Sequence, residues 1–302
     1  MNGIGHLLCR EPGSFNEFAA KLHTRLVRQR HTRRGQKYDL TVLRGGPYRF
    51  LDHFDVEDGD FYFGREDDVK AVMEKIQTSP ITVVFRQAAI GKTSLLRAGV
   101  MAALKRESEE ADKTDTHPWL VAYTRVGEEP IASIRAAILN SLEQLGYEPG
   151  KLAQTRSLCD VVKKAAELTG RQIIVLLDQF AEFHVKLGDK TKEKAREALR
   201  ACFDNCGDQF RMVLAIREDF VGELYEMQSD FPTIMHNMHR LHKFTPEQAA
   251  DAIIKPAQNF ELQVKRTLVE RIVEDLNREG IEPAQLEIVC HSIYEARSKG
   301  SH

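Results

Sequence analysis

The residues best placed to do chemistry lie in one window, Val83-Val84-Phe85-Arg86-Gln87-Ala88-Ala89-Ile90-Gly91-Lys92-Thr93-Ser94. An apolar strand, a short loop and a Gly-Lys-Thr that opens an amphipathic helix is the setting in which backbone N–H groups at a helix N-terminus hold phosphate. Gly91, Lys92, Thr93 and Ser94 would then bind the phosphates of a nucleotide, with the Lys92 ammonium on the β and γ oxygens and the Thr93 hydroxyl on Mg²⁺. The full pattern wants glycine at position 86, where this chain has Arg86. A side chain there either crowds the exit from the strand or adds a guanidinium contact to phosphate.

A second run, Arg171-Gln172-Ile173-Ile174-Val175-Leu176-Leu177-Asp178, is apolar and ends in an acid. A carboxylate at the C-terminal end of a strand beside a phosphate loop can hold Mg²⁺ and its water, and a nearby acid can orient an attacking water. Asp178 fits the first role, as a metal ligand beside Thr93; Glu182 is the candidate for the second. Ala215-Ile216-Arg217-Glu218-Asp219-Phe220 repeats the arrangement, and its Arg217 would face a γ-phosphate. Alone, the Gly-Lys-Thr reads better as a solvated helix start and the Arg217 segment as a surface Arg-Glu pair; the three together point to nucleotide binding.

Those strand ends need a sheet to align them. Ile81–Phe85 and Ile173–Leu177 are near-continuous apolar runs, the pattern of parallel strands covered on both faces. Leu120–Val126 and Met212–Ile216 are weaker runs of the same kind, and Leu241–Phe244 is a candidate fifth strand. Helical periods lie between them: Leu95 to Leu104, Ile131 to Leu145 before Gly146, and Val161 to Leu168 before Gly170. The alternation predicts an α/β fold over residues 47–244, a P-loop-type parallel sheet of about five strands with helices on both faces. Beyond it, Thr245-Pro246-Glu247-Gln248 and Thr267-Leu268-Val269-Glu270 read as capping boxes, the second helix running to Gly280, and a third helix follows Pro283. Residues 245–297 therefore read as a small all-α lid, and residues 298–302 as a frayed end or cloning remnant.

Composition sets the outer bounds. A chain of 302 residues that is 42% hydrophobic can bury a real core. The net charge of −2 hides an asymmetry, because residues 1–46 carry nine Lys/Arg against three acids. They read as a basic arm or linker, with a helix from about Ser14 to Arg30. There is no apolar run of about eighteen residues, and Met1–Arg10 lacks the pattern of a secretory signal. A cytoplasmic protein without a membrane partner is the expectation. The five cysteines are scattered, which fits reduced thiols. Cys202 and Cys206 are half of a metal site, but without other ligands at matching spacing they read as buried thiols. His236, His239 and His242 read as a half-buried polar helix face leading into the last strand. The basic stretch from Arg28 to Lys37 reads as solvated, so no nucleic-acid partner is expected.

From about Pro47 to Ala296 the chain resembles the STAND-class signalling NTPases, specifically the bacterial novel STAND group. Pro47-Tyr48-Arg49-Phe50-Leu51, Phe54, Glu57-Asp58 and Phe61-Tyr62-Phe63-Gly64-Arg65-Glu66 are similar to that family's leading segment, which ends in a Phe-Gly-Arg-Glu box against adenine. Ser94-Leu95-Leu96-Arg97-Ala98-Gly99 is similar to its P-loop helix, Asp178-Gln179-Phe180 to its Walker B strand, and Ile216-Arg217-Glu218-Asp219-Phe220 to its sensor-arginine strand. Phe244-Thr245-Pro246-Glu247 through Ile253-Ile254-Lys255-Pro256-Ala257 resembles its lid helix, and Ile281-Glu282-Pro283-Ala284-Gln285-Leu286 the proline segment that contacts nucleotide.

The resemblance implies an ATP-binding molecular switch of bacterial signalling or antiphage defence. ATP binding and hydrolysis with Mg²⁺ would govern opening and homo-oligomerisation in response to a protein trigger. Phe63, Gly64 and Arg65 carry over to the base, Lys92, Thr93 and Arg217 to the phosphates, Thr93 and Asp178 to the metal, and Pro283 to the nucleotide in closed forms. Three departures stand against this. Arg86 and Ala89 replace P-loop glycines, Ala181 replaces the first glutamate of Asp-Gln-Phe-Glu-Glu, and no winged helix or repeat sensor follows, so the chain reads as a module of the usual architecture. They keep open a second reading, a pseudo-NTPase scaffold or protein-interaction module that no longer hydrolyses nucleotide.

Overall fold

The computed structural model describes residues 46–87, 90–111, 118–278 and 280–299; the expected helix at Ser14–Arg30 and position Ala89 lie outside the described residues. Five strands, β1 (Ile81–Arg86), β2 (Trp119–Arg125), β3 (Gln172–Asp178), β4 (Phe210–Arg217) and β5 (Met238–Arg240), form one sheet in the order β2-β3-β4-β1-β5. Every pairing is parallel. Alternate strand residues point to opposite faces, so a strand buried on both must be apolar throughout. Val83, Val175 and Leu214 enter the core on one face, and Val84, Ile174 and Val213 enter the core on the other.

Helices complete both layers. The second of these faces is covered by α1 (Glu66–Thr78) and α2, which starts as Lys92–Ser94, widens to a π-type stretch at Leu95–Met101 and continues as Ala102–Ala111. The first face is covered by α3 (Pro130–Gln144), α4 (Leu158–Thr169) and, after the short α5 (Ala181–Lys186), α6 (Asp189–Cys206). Then comes a helical unit of α7 (Pro246–Asn259), α8 (Arg266–Leu276) and α9 (Pro283–Lys299), closed by an antiparallel bridge in which Phe244 N–H donates to Ile281 O at 2.9 Å. Its core includes Ala249, Ile253, Val269, Ile281 and Leu286, together with Tyr48 from the leading segment, whose hydroxyl donates to Ile253 O at 2.8 Å.

Four local expectations are corrected. The fifth strand is Met238–Arg240 rather than Leu241–Phe244: Val83 to Phe85 pair with Met238 to Arg240, and Leu241 N–H ends the ladder on Phe85 O at 3.1 Å. An edge strand paired along one flank can be polar, whereas the buried Leu241 belongs to the turn beyond it. His239 consequently sits in a strand, not on a helix face. The box at Thr245 forms as read, with Gln248 N–H on Thr245 Oγ1 at 3.2 Å and Thr245 N–H on Gln248 Oε1 at 3.0 Å. The one at Thr267 does not, because α8 already starts at Arg266 after an extended Lys265, which buries Val269 and Ile272, and it stops at Leu276. Finally, α9 continues through Lys299, beyond the 297 boundary.

Candidate functional site

The C-terminal ends of β1, β3 and β4 open on one cleft of about 550 Å³, the side of a parallel sheet on which ligands bind. At its floor Gly91 adopts φ +93° and starts α2, its carbonyl accepting from Leu95 N–H at 2.9 Å. Added at Gly91, a Cβ would meet no atom of the described residues within 4 Å, and the left-handed backbone conformation itself calls for glycine. Lys92 Nζ donates to Arg86 O at 2.9 Å and Gln87 O at 2.8 Å, folded over the loop it rises from. Burial pulls its pKa down to about 8; Asp178 pushes it up, and Arg217 adds to the fall.

Thr93 Oγ1 donates to Asp178 Oδ2 at 2.7 Å, so the two proposed metal ligands already share one point. Asp178 is 1% exposed and its charge is met on all sides: Tyr123 O–H donates to Oδ2 at 2.9 Å, Gln179 N–H to Oδ1 at 2.8 Å, and Arg125 Nε lies 3.9 Å away. Sequence reasoning missed Tyr123. Its signal was slight, a lone tyrosine two residues before the β2 position in register with Asp178. Past the acid the chain turns sharply, Gln179 taking a left-handed φ of +58°, at a cost of about 1 kcal/mol for a residue with a side chain. That turn places Ala181 and Glu182 on the cleft wall, with Glu182 Oε2 held by Lys186 Nζ at 2.6 Å.

Arg217 also lines the cleft, paired through both nitrogens to Asp219 (Nε to Oδ1 3.1 Å) and lying over the Phe220 ring at 5.3 Å. Arg86 is its Cα partner across β1 and β4, yet it does not line the cleft. The Arg86 side chain goes instead to Glu218, 4.0 Å away, whose other oxygen accepts from Arg240 at 2.5 Å. Ser94 lines the cleft as well, and its buried hydroxyl accepts from Phe54 N–H at 3.2 Å, anchoring the leading segment.

The far wall is built from that segment and α9. Phe63 and Arg65 line it, as do Pro283 and Glu287. Gly64 has φ +82°, and a Cβ on it would come within 2.5 Å of Gln248 O, so the segment passes α7 at backbone contact. Arg65 is 2% exposed, bonded to Asp68 at 2.9 Å and lying over the Phe244 ring at 4.3 Å. His239 Nε2 meets the other Asp68 oxygen at 2.8 Å; burial, the largest single influence, raises the Asp68 pKa, but the His239 hydrogen bond and the Arg65 guanidinium outweigh it and hold the value below the usual one. Among the described residues the Nη2 of Arg65 is buried without a hydrogen-bond partner, a donor left over on a residue that lines the cleft.

Glu287 caps the leading segment, accepting from Arg49 N–H at 2.7 Å. Burial pushes its pKa from 4.5 up to about 8, against the lowering effect of the Arg49 bond. A folded value above the unfolded one means the native state holds the extra proton between them, so stability falls as pH rises from about 4.5 to about 8. Glu287→Gln should flatten that decline in denaturant midpoints measured across this range; an unchanged slope would remove Glu287 as its source.

Hard oxygen donors at Thr93 and Asp178, a left-handed Gly91 at a helix start and the spare Arg65 donor together fit a magnesium nucleotide. The description Novel STAND NTPase 1 belongs to a family model that matches residues 47–301. No curated protein matches the chain. Among solved structures it is similar to the Walker-type ATPase PABY2304 of Pyrococcus abyssi, with a TM-score of 0.52 and 16% identity over 82% of this chain and 72% of that one. It is also similar to the ORC2 protein of Aeropyrum pernix in its ADPNP–ADP complexes, with a TM-score of 0.54 and 18% identity over 78% of this chain and 64% of that one. The A. pernix ORC1 protein in complex with DNA gives a TM-score of 0.52 and 15% identity over 79% of this chain and 62% of that one. The chain thus spans less than two thirds of the ORC structures, and these likenesses show the fold. Among the described residues no helix is long and apolar enough to cross a membrane.

Proposed function

The chain belongs to the novel STAND NTPase 1 family, a nucleotide-binding P-loop module, and from that premise we propose that it is an ATP-driven switch in signalling or phage defence. The observation that carries the proposal is the Thr93–Asp178 bond at 2.7 Å, next to Lys92 in a cleft whose far wall includes the helical unit. A ligand filling that cleft touches both bodies at once, and so favours one arrangement of them.

In this reading Thr93 and Asp178 hold Mg²⁺, which neutralises phosphate charge when bound. Tyr123 and Gln179 N–H fix the Asp178 carboxylate. Lys92 leaves the loop carbonyls for the phosphates, Arg217 leaves Asp219 for the γ-phosphate, and Glu182 accepts a proton from water. Gly91 and the residues that follow it at the start of α2 supply backbone N–H groups, Phe63 and Arg65 bound the base side, Gly64 allows α7 to close against them, and Pro283 brings α9 to the nucleotide. Homo-oligomerisation and a protein trigger belong to the same proposal.

Ala181 favours a second reading, a scaffold that binds nucleotide without turning it over. The position is 6% exposed and lines the cleft two residues beyond Gln179, where a glutamate would stand beside Asp178. Single-turnover hydrolysis of Mg²⁺–ATP separates the two. Ala181→Glu should raise the rate roughly 10²-fold, as for a restored positioned base, while Arg86→Gly should change affinity less than about twofold, since its side chain is turned to Glu218. No hydrolysis by any variant, with binding intact, would leave the scaffold.

A further inference from the structure

Three of the four described cysteines, separated in sequence, meet at one point on the sheet face opposite α1 and α2. Cys159 stands in the first turn of α4, and Cys202 and Cys206 lie one helical turn apart at the end of α6. Cys159 Sγ is 3.4 Å from Cys206 Sγ, and Cys206 Sγ is 3.7 Å from Cys202 Sγ. Cys202 and Cys206 are buried among apolar side chains, while Cys159 is partly exposed. None of the three lines the nucleotide cleft.

We propose that Cys159 and Cys206 form a peroxide-sensitive dithiol site, oxidised to a disulfide that staples α4 to α6. A sulfur pair at 3.4 Å needs to close by little more than one ångström to reach a bonded length of about 2.05 Å, a shift that side-chain rotation can supply. Solvent access makes Cys159 the sulfur that meets the oxidant. Its thiolate attacks one oxygen of hydrogen peroxide; the O–O bond breaks, sulfur is oxidised to the sulfenic acid, and hydroxide leaves and takes up a proton as water. Cys206 then attacks the Cys159 sulfur, the S–O bond breaks, and the Cys206 proton departs with the hydroxyl as a second water. Burial pushes the Cys206 thiol up to about 11, so this second step is the slow one. Cys202 and Cys206, on one helix and both buried, are less accessible to the first step than Cys159.

The full chain is treated with hydrogen peroxide, alkylated and mapped by peptide mass spectrometry. The expected product is a Cys159–Cys206 linked peptide with a loss of two hydrogen atoms, reversed by dithiothreitol, and an unfolding midpoint higher by about 5 °C. Cys206→Ser should abolish the link and leave Cys159 as a sulfenic acid trapped by a dimedone-type probe; Cys202→Ser should keep the link. If Cys206→Ser does not fold, Cys159→Ser serves as the blocking variant. A Cys202–Cys206 link, or a wild-type Cys159 that passes to sulfinic acid without forming a link, would overturn the proposal.

Discussion

Alanine at position 92 is expected to abolish the stabilisation that Mg²⁺–ATP gives the wild-type chain. At a nucleotide concentration 100 times the dissociation constant the native state gains about 2.7 kcal/mol; a variant binding 100-fold more weakly gains only about 0.4 kcal/mol. Thermal shift at fixed nucleotide reads that difference directly. The nucleotide-free protein should move the other way. Lys92 has a folded pKa of about 8 against 10.5 unfolded, so the fold disfavours its charge, and that penalty is fully present below pH 8 and fades between about 8 and 10.5. Without ligand at pH 7, Lys92→Ala should therefore melt no lower than wild type. In the wild type, nucleotide affinity should weaken as pH rises past about 8, since the phosphates then recruit a lysine that must first take up a proton. A Lys92→Ala protein still stabilised by Mg²⁺–ATP would remove the phosphate loop from the mechanism.

Valine at Gly64 is expected to be the most damaging single change to the fold near the cleft. It places a Cβ within 2.5 Å of a backbone oxygen, Gln248 O, which no rotamer change can move, and asks a β-branched residue to hold φ +82°. Together these cost roughly 3 kcal/mol or more, equivalent to about 6–12 °C in the unfolding midpoint for a domain of this size. Because the clash lies between the leading segment and α7, limited proteolysis should cut the helical unit sooner than the sheet. Equal protection of both in Gly64→Val would show that the contact does not hold them together.

Legibility in the sequence followed burial. β1 and β3 could be read because both of their faces are covered, which forces a continuous apolar run; β5, an edge of Met-His-Arg, carries no such mark. The cleft residues that were found, Lys92, Thr93, Asp178 and Arg217, sit at strand ends or a helix start, where local pattern is informative. The contacts that were missed, at the cleft and away from it, act across distance. Tyr123 reaches Asp178 from 55 residues away, Cys159 meets Cys206 from 47, and Glu287 caps Arg49 from 238. Within α9, Leu286 and Cys290 are buried, but Ile293 is 38% exposed while Glu287 turns to the cleft. The direction taken by Arg86 depends on Glu218, a partner that becomes its neighbour only when β1 and β4 pair.

The leading segment begins inside the helical unit. Gly46 backs onto the Tyr294 ring of α9, and Tyr48 lies edge-on to the same ring while bonded to α7. At its other end the described chain leaves through α9 itself. Topologically the nucleotide-binding sheet is thus a loop-out between two strands of cable clamped in one block. A tilt of that block against the sheet would carry Gly46 and Lys299, the first and last described residues, together as a single handle rather than as two independent ends.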